Sequence, residues 1–277
     1  MKTVVLPGGR EVPALGQGTW NMGDNTRRRS QEIKALQRGI DLGMTLIDTA
    51  EMYGEGAAEE LIGEAIRGRR SEVFLVSKVY PHNATRRGAV SACERSLGRL
   101  GVERIDLYLL HWRGSVKLSE TLEAFAELKR GGKIAAFGVS NFDTSDMEEA
   151  WGLVQGKEIA VNQILYNLTR RGVEFELLPW LEKHRVPVMA YSPVEQGRLV
   201  KHPKLAAIAK ERNATAAQIA LAWLLARPGV IAIPKAADLG HVEENRAAAD
   251  LELSAAEMTA LDGVFPRPKS RKALEMI

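Results

Sequence analysis

The fold is decided by three short apolar runs, Met44–Asp48 (MTLID), Val73–Lys78 (VFLVSK) and Ile105–His111 (IDLYLLH). Each run has the length of a buried parallel strand, in which near-continuous apolar sequence replaces the alternation of a half-exposed strand. Loop residues and then a helical pattern follow each run. Because the carboxyl ends of parallel strands share one edge of a sheet, Asp48, Lys78 and His111 are predicted to meet there, where ligands bind.

The alternation of strand and helix continues through the rest of the chain. Strands are predicted to end near residues 20, 48, 78, 111, 141, 163, 191 and 235. A β/α unit takes roughly 30 residues, and eight such units close a (β/α)8 barrel. The last interval leaves room for an extra helix. An open doubly wound sheet is the alternative, but the Gly-x-Gly-x-x-Gly that usually follows its first strand is missing.

Residues 2–15 are predicted to form a β-hairpin before the barrel. Two short apolar runs, Thr3–Leu6 and Glu11–Leu15, flank the turn sequence Pro7–Arg10, which is rich in glycine. Such a hairpin is suited to cap the amino-terminal bottom of a barrel. No break in composition divides the chain, so residues 1–277 are predicted to form one domain.

Composition and charge exclude several classes of protein. The 277 residues contain no run of 18 apolar residues and no basic segment followed by an apolar core, so neither a membrane span nor a signal peptide is expected. Cys93 is the only cysteine, which rules out an intramolecular disulfide and favours the cytoplasm. The net charge of +3 is small and scattered, so nucleic acid is not an expected partner.

Four ionisable residues are predicted to converge at the mouth of the barrel. Tyr53 follows Asp48 by one short loop and reaches the same edge as Lys78 and His111. An adjacent lysine lowers the pKa of a phenol, and a carboxylate keeps that lysine charged despite burial. The set suits a tyrosine general acid that protonates a carbonyl oxygen while the histidine holds it. The hydride must come from a cofactor, because no side chain supplies one. Taken singly, residues of these types at strand ends are more often structural or solvated, so the prediction depends on all four meeting at one mouth.

Motifs around these residues are ordered as in one known family. The chain contains Asp48–Gly54 (DTAEMYG), Ser77-Lys78, Leu109–Trp112 (LLHW), Gly138–Phe142 (GVSNF) and Ala190–Pro193 (AYSP). Together they resemble the aldo-keto reductase superfamily, and the resemblance covers nearly the whole chain. It implies a (β/α)8 barrel that binds NADPH across its carboxyl face and reduces aldehydes and ketones. It also implies that Tyr53 is the general acid, that His111 orients the carbonyl, and that Lys78, paired with Asp48, tunes Tyr53.

The resemblance also implies a set of cofactor-binding residues. Hydroxyl and amide groups match the donors and acceptors of the nicotinamide carboxamide, an aromatic ring stacks on the nicotinamide, and a loop crosses the pyrophosphate. These positions are Ser140, Asn141 and Gln163 for the carboxamide, Tyr191 for the ring, and Ser192, Pro193, Val194, Gln196 and Gly197 for the loop. Helix capping by Asn141 and barrel packing by Tyr191 are the structural alternatives.

At the adenosine end the sequence departs from the family pattern. Lys235 matches the lysine that binds the 2′-phosphate, and Glu244 and Asn245 match the pair that contacts adenine. Ala236 stands where a serine is common, and His241 stands where an arginine is common. Since a bidentate guanidinium is missing, we expect NADPH to be the preferred cofactor with NADH as a weaker alternative. A solvated role for His241 is equally compatible with the sequence.

Three aromatic residues near strand ends, Trp20, Tyr80 and Trp112, are predicted to wall an apolar substrate pocket. The connection Trp112–Leu118 and the tail Phe265–Ile277 are both short, which favours an open, shallow site for small carbonyls. Stretches such as Gly18–Trp20 are similar to bacterial reductases of the methylglyoxal type and their relatives of the 2,5-diketogluconate type. The expected substrates are therefore small α-oxoaldehydes, and the expected protein is a monomer.

Two other kinds of protein remain as alternatives. A redox sensor or scaffold of the same fold would keep the cofactor but have lost useful catalysis, which the complete set of four site residues disfavours. A metal-dependent barrel enzyme would need several carboxylates and histidines at strand ends. Only Asp48 and His111 supply such ligands at the predicted mouth, so no metal is expected.

Overall fold

A computed structural model describes residues 1–277 and begins with the predicted hairpin. Strands β1 (Thr3–Val5) and β2 (Glu11–Pro13) pair antiparallel around a turn in which Gly8 and Gly9 have positive φ. The Arg10 guanidinium lies 5.6 Å from the ring centre of Phe74, which opens a barrel strand at its amino end. The hairpin thus covers the amino-terminal end of the barrel, as the sequence predicts.

Eight parallel strands form the barrel, in the spatial order of the sequence. They are β3 (Gln17–Gly18), β4 (Leu46–Asp48), β5 (Phe74–Val79), β6 (Ile105–Leu110), β7 (Ile134–Ser140), β8 (Ile159–Leu165), β9 (Val188–Tyr191) and β10 (Val230–Ala232). Parallel bridges from Leu15 to Ala232 and from Gly18 to Lys235 join the first strand to the last and close the barrel. The predicted (β/α)8 fold is confirmed, whereas the first strand ends before Trp20, which lies in a turn.

Ten α-helices accompany the strands. They are α1 (Arg29–Asp41), α2 (Ala57–Ala65), α3 (Arg86–Leu100), α4 (Leu118–Arg130), α5 (Thr144–Trp151), α6 (Leu177–Lys183), α7 (Pro203–Glu211), α8 (Ala216–Leu225), α9 (Leu239–Ala248) and α10 (Ala255–Val264). Both α7 and α8 lie between β9 and β10, which accounts for the long last interval. None of the helices has the length and apolarity that crossing a membrane requires.

Burial on both faces explains the continuous apolar sequence of the central strands. Every residue of β5, β6 and β8 is buried, because one face of each strand fills the barrel interior and the other packs under the helices. The few polar residues in these strands must therefore find partners inside the protein. At the carboxyl ends those partners are other site residues, so the packing of the barrel also fixes the geometry of the site.

Candidate active site

A cleft of about 900 Å³ opens at the carboxyl ends of the barrel strands. This volume lies at the upper end of the range typical of ligand sites. Three of the four predicted catalytic residues, Asp48, Tyr53 and His111, line it, and Lys78 lies fully buried behind Tyr53. The convergence predicted from the strand ends is thus present in the structure.

Lys78 contacts every other member of the polar cluster beneath the cleft, which consists of Lys78, Asp48, Thr49 and Tyr53. Its Nζ lies 2.9 Å from each carboxylate oxygen of Asp48 and donates a 2.8 Å hydrogen bond to the backbone oxygen of Thr49. It also donates to the hydroxyl of Tyr53 at 3.3 Å. The three donors of the ammonium group are therefore all used, and one of them points at the phenol that faces the cleft.

The electrostatics of Tyr53 differ from the expectation drawn from the sequence. Burial, together with the negative charge of Asp48, raises the pKa of Tyr53 well above its ordinary value. Burial also lowers the pKa of Lys78, although the Asp48 carboxylate opposes that shift. The charge of Lys78 by itself favours the phenolate, but the cost of desolvating the phenolate dominates at this buried position. Tyr53 is thus a fully protonated donor at neutral pH.

His111 lies opposite Tyr53 at the mouth of the cleft. The two ring centres are 5.8 Å apart, with the rings nearly perpendicular. Burial, reinforced by the charge of Lys78, lowers the pKa of His111 to about 2, so the imidazole is neutral at physiological pH. Its Nδ1 is buried and has no hydrogen-bond partner within the protein. A neutral imidazole beside a protonated phenol offers two hydrogen-bond donors to one oxygen atom.

The polar residues predicted for the carboxamide lie together next to this cluster. Ser140, Asn141 and Gln163 all line the cleft. The Asn141 amide donates to the backbone oxygen of His111 at 3.1 Å and accepts from the Tyr191 hydroxyl at 2.9 Å. Gln163 donates to Asp48 at 2.7 Å, so it touches the catalytic cluster directly. This contact was not predicted from the sequence.

The loop predicted to cross the pyrophosphate has an unusual backbone. Ser192, Glu195 and Gln196 all have φ between 50° and 53°, and Gly197 has φ of 82°. Ser192, Pro193, Val194, Gln196 and Gly197 line the cleft, whereas Glu195 turns inward and is buried. Positive φ at three residues that are not glycine requires support from the surroundings. Asn167 provides part of it, donating to the Ser192 backbone oxygen at 2.9 Å and to Glu195 at 2.7 Å.

At the far end the cleft is bounded by α8 and α9. Lys235, His241, Glu244 and Asn245 line it, and Asp238 accepts a hydrogen bond from the His241 backbone and lies 2.9 Å from the His241 ring. Ala236 does not line the cleft, because it packs against the core instead. The start of α8 was missed by the sequence reasoning. Thr215, Ala216 and Ala217 also line the cleft there, and Thr215 hydrogen-bonds to Glu244.

The predicted aromatic wall is only partly present. Trp20 and Trp112 line the cleft, and Trp20 is 44 % exposed. Tyr80 is not among the lining residues; its ring centre lies 5.7 Å from that of Trp112, with the two rings nearly perpendicular. The assignment of Tyr80 to the substrate wall stays a prediction; its ring lies next to two residues that line the cleft, Trp112 and His111, with ring centres 5.7 and 6.5 Å away.

The C-terminal tail also contributes to the cleft, which the sequence reasoning did not foresee. Met276 and Ile277 are among its lining residues, and Leu274 packs against the core. The site is therefore less open than the short tail suggested, since the tail folds back across the mouth.

The fold and the site together define a class of protein, and comparison with known families gives its identity. A closed β/α barrel carries tyrosine, lysine, aspartate and histidine at one end of a long cleft. Residues 14–265 match the model of the aldo/keto reductase family. The chain belongs to this family and is an oxidoreductase.

Individual relatives are similar over nearly their whole length. Methylglyoxal reductase YeaE of Escherichia coli is 50 % identical over 281 residues, which cover 100 % of this chain and 99 % of the relative. Glyoxal reductase of Bacillus subtilis is 35 % identical over 267 residues, covering 95 % and 92 %. The crystal structure of an aldo-keto reductase from Klebsiella pneumoniae in complex with NADPH has a TM-score of 0.98 and 49 % identity, covering 100 % and 99 %.

Proposed function

We propose that this protein uses NADPH to reduce small aldehydes and ketones to alcohols, with α-oxoaldehydes such as methylglyoxal as preferred substrates. The observation that carries the proposal is the Tyr53 hydroxyl, held 3.3 Å from Lys78 Nζ and facing the cleft opposite a neutral His111. The names of the E. coli and B. subtilis relatives support the substrate class.

The residues of the cluster have complementary proposed roles. Tyr53 donates its proton to the carbonyl oxygen as the carbon becomes an alcohol, and Lys78 stabilises the phenolate that remains. Asp48 keeps Lys78 charged in a buried position. His111, as a neutral donor, positions and polarises the same oxygen. A carbonyl placed between Tyr53 and His111 would thus receive two hydrogen bonds that strengthen as negative charge develops on its oxygen.

The lining of the cleft fits NADPH. Amide and hydroxyl groups of Ser140, Asn141 and Gln163 suit the carboxamide, and the ring of Tyr191 suits the nicotinamide face. Lys235 and His241 are the basic side chains lining the far end, where a 2′-phosphate would need them. When bound, NADPH supplies the hydride for the carbonyl carbon.

The side chains that line the cleft near its opening favour small substrates. Trp20 and Trp112 form two apolar walls, and Met276 and Ile277 restrict the opening. A compact carbonyl fits between these side chains while its oxygen reaches Tyr53. Larger, rigid ketones would have to displace the tail, so we propose that they are poorer substrates.

The first test of this function is the loss of NADPH absorbance with methylglyoxal, measured in parallel with NADH. Rapid oxidation of NADPH and slower oxidation of NADH are expected. Tight NADPH binding without turnover of any carbonyl would favour the sensor alternative instead. A bulky steroid-like ketone, tested as a comparison, should be turned over more slowly; an equal or faster rate would contradict the small-pocket argument.

His111 should contribute no ionisation to the activity between pH 5 and pH 8. With its pKa lowered to about 2, the imidazole is neutral at every pH above that value, so kcat/KM gains no inflection from it. The measurement is the pH profile of kcat/KM for the wild type and for His111→Gln, which keeps a neutral donor. The two profiles should share one shape at different heights. An inflection near pH 6 to 7 that disappears in the variant would contradict the neutral imidazole.

Replacing His241 with arginine should raise the preference for NADPH over NADH. Arginine adds a permanent charge and a bidentate donor set beside Lys235, which favours a phosphate dianion. We expect the NADPH-to-NADH ratio of affinities to rise by about ten- to hundred-fold, since a hydrogen bond to a charged group contributes roughly 1.5–3 kcal/mol. Binding titrations with both cofactors measure it. His241→Gln is the matched control; an unchanged ratio in both variants would place the 2′-phosphate elsewhere.

We also propose that the protein works as a single-domain monomer in the cytoplasm. The only cysteine, Cys93, is buried, and burial raises its pKa to about 12, so it is neither a disulfide partner nor a reactive thiol. Gel filtration with light scattering tests the oligomeric state, and a mass near twice 30.4 kDa would contradict the monomer.

A further inference from the structure

Arg170 occupies a position between two segments that both line the cleft. Its Nε and Nη2 donate to the same carboxylate oxygen of Glu195, at 3.0 and 2.7 Å. Its Nη1 donates to Glu275 in the C-terminal tail. One guanidinium thus joins the loop 192–197, on the cofactor side, to the tail that bounds the substrate opening, although the tail residue is 105 positions away in sequence.

The platform that carries Arg170 is rigid. Residues 167–170 form a tight turn in which the Asn167 side chain accepts hydrogen bonds from Thr169 and from the Arg170 backbone. The amide of the same Asn167 donates to Glu195 and to the Ser192 backbone oxygen. Because the turn is held by the fully buried Asn167, the position of Arg170 follows the position of the loop.

The two arms of the Arg170 contact differ in strength. The Glu195 side chain is only 6 % exposed, so its charge depends on the surrounding donors. Burial acts to raise the pKa of Glu195, but hydrogen bonds from Arg170 and Asn167 outweigh it and lower that pKa. The Glu275 side chain is 46 % exposed, and an ion pair to such an exposed group contributes less stabilising free energy. The contact of Arg170 with Glu195 is therefore the stronger of the two, and the contact with Glu275 in the tail is the weaker and more easily broken.

From this geometry we propose that Arg170 is a positioning residue that couples the loop 192–197, on the cofactor side, to the C-terminal tail beside the substrate opening. The proposal rests on the function proposed above. A cofactor bound under the loop holds Glu195 in place, and Glu195 in turn positions Arg170. Arg170 then holds Glu275, which keeps the adjoining Met276 and Ile277 against the opening. Such coupling is reciprocal, so an ordered tail also favours the loop arrangement that binds the cofactor.

The chain offers matched control variants for each arm. Arg198 pairs with the same Glu195 oxygen at 3.1 Å but is 63 % exposed and makes no ion pair with the tail. Arg271 holds the tail to Glu176 at 3.0 Å, away from the cofactor loop. Arg198→Gln therefore removes a loop contact alone, and Arg271→Gln removes a tail contact alone. Only Arg170→Gln and Glu275→Gln break the connection between the two segments.

The decisive measurement is amide hydrogen exchange of residues 270–277 with and without saturating NADPH, which reports local opening of the tail. In the wild type, NADPH should slow this exchange by about two- to five-fold, the range of an exposed ion pair. The slowing should vanish in Glu275→Gln and persist in Arg271→Gln. Because Glu275→Gln leaves no buried charge unpaired, the result does not depend on whether Arg170→Gln folds.

Steady-state kinetics separate coupling from a merely structural contact. Glu275→Gln should raise KM for methylglyoxal by about two- to five-fold with kcat unchanged and, because the coupling is reciprocal, should weaken NADPH binding by a factor of similar size. Arg170→Gln should in addition weaken NADPH binding by more than Arg198→Gln does. Equal slowing of tail exchange by NADPH in Glu275→Gln and Arg271→Gln would overturn the proposal. Wild-type protein that binds NADPH without any slowing of amide exchange in residues 270–277 would overturn it as well. Wild-type protein that does not bind NADPH would overturn the proposed function, and the coupling with it.

Discussion

Tyr53→Phe is expected to lower kcat with methylglyoxal by about 10²- to 10⁴-fold, the usual contribution of a positioned proton donor. The variant removes only the hydroxyl that lies 3.3 Å from Lys78 Nζ, and the ring that packs near His111 remains. NADPH affinity should therefore stay within about two-fold of the wild type. Single-turnover oxidation of NADPH, together with a binding titration, measures both quantities.

A matched control for this prediction removes a phenol that the mechanism does not use. Tyr80 packs against Trp112 and is not among the residues that line the cleft, so Tyr80→Phe should leave kcat nearly unchanged. A similar loss in both variants would point to general disturbance of the site. Full activity of Tyr53→Phe would show that another group donates the proton.

Breaking the Asp48–Lys78 pair should produce the largest loss of stability. Lys78 is fully buried and Asp48 nearly so, and the ammonium contacts both carboxylate oxygens at 2.9 Å. Lys78→Met leaves a buried carboxylate without its cation, which typically lowers the free energy of unfolding by about 3–5 kcal/mol. Urea unfolding followed by circular dichroism measures the change, and catalysis should be lost as well.

The double variant Asp48→Asn/Lys78→Met distinguishes an unpaired charge from lost packing. Replacing both members removes the buried charges together, so much of the stability should return while activity stays absent. Gln163 retains an acceptor in the asparagine of this variant, since it donates to Asp48 Oδ1 at 2.7 Å in the wild type. If the double variant is as unstable as Lys78→Met, the loss comes from packing around the lysine stem.

The sequence predicted the strands that carry the site residues, because two simple physical rules determine where such strands occur and where they end. Buried parallel strands must be apolar along their whole length, which revealed the runs ending at Asp48, Lys78 and His111. Parallel strands bring their carboxyl ends to one edge of the sheet, which places these three residues together. The family resemblance then supplied the positions along the cleft, most of which line it in the structure.

Other features depended on distances that no local pattern encodes. The pKa of Tyr53 rises because of burial, and the extent of burial is a property of the packed barrel. Tyr80 and Ala236 are not among the residues that line the cleft, and the spacing of residues in the sequence does not specify which side chains past a strand end do so. Individual exposed or half-buried residues give weak sequence signals, since either orientation leaves them compatible with their neighbours.

The sequence by itself therefore determined the barrel, the order of its strands and the residue types at its mouth. Hydrophobic patterns and the order of strands and helices can be recognised over short stretches of sequence. Only the tertiary structure decided that the tail returns to the cleft and that Arg170 bridges Glu195 and Glu275. Ion pairs between segments far apart in sequence depend on where two loops meet in space. That meeting is fixed by the packing of the whole barrel, and it leaves no periodic pattern in the chain.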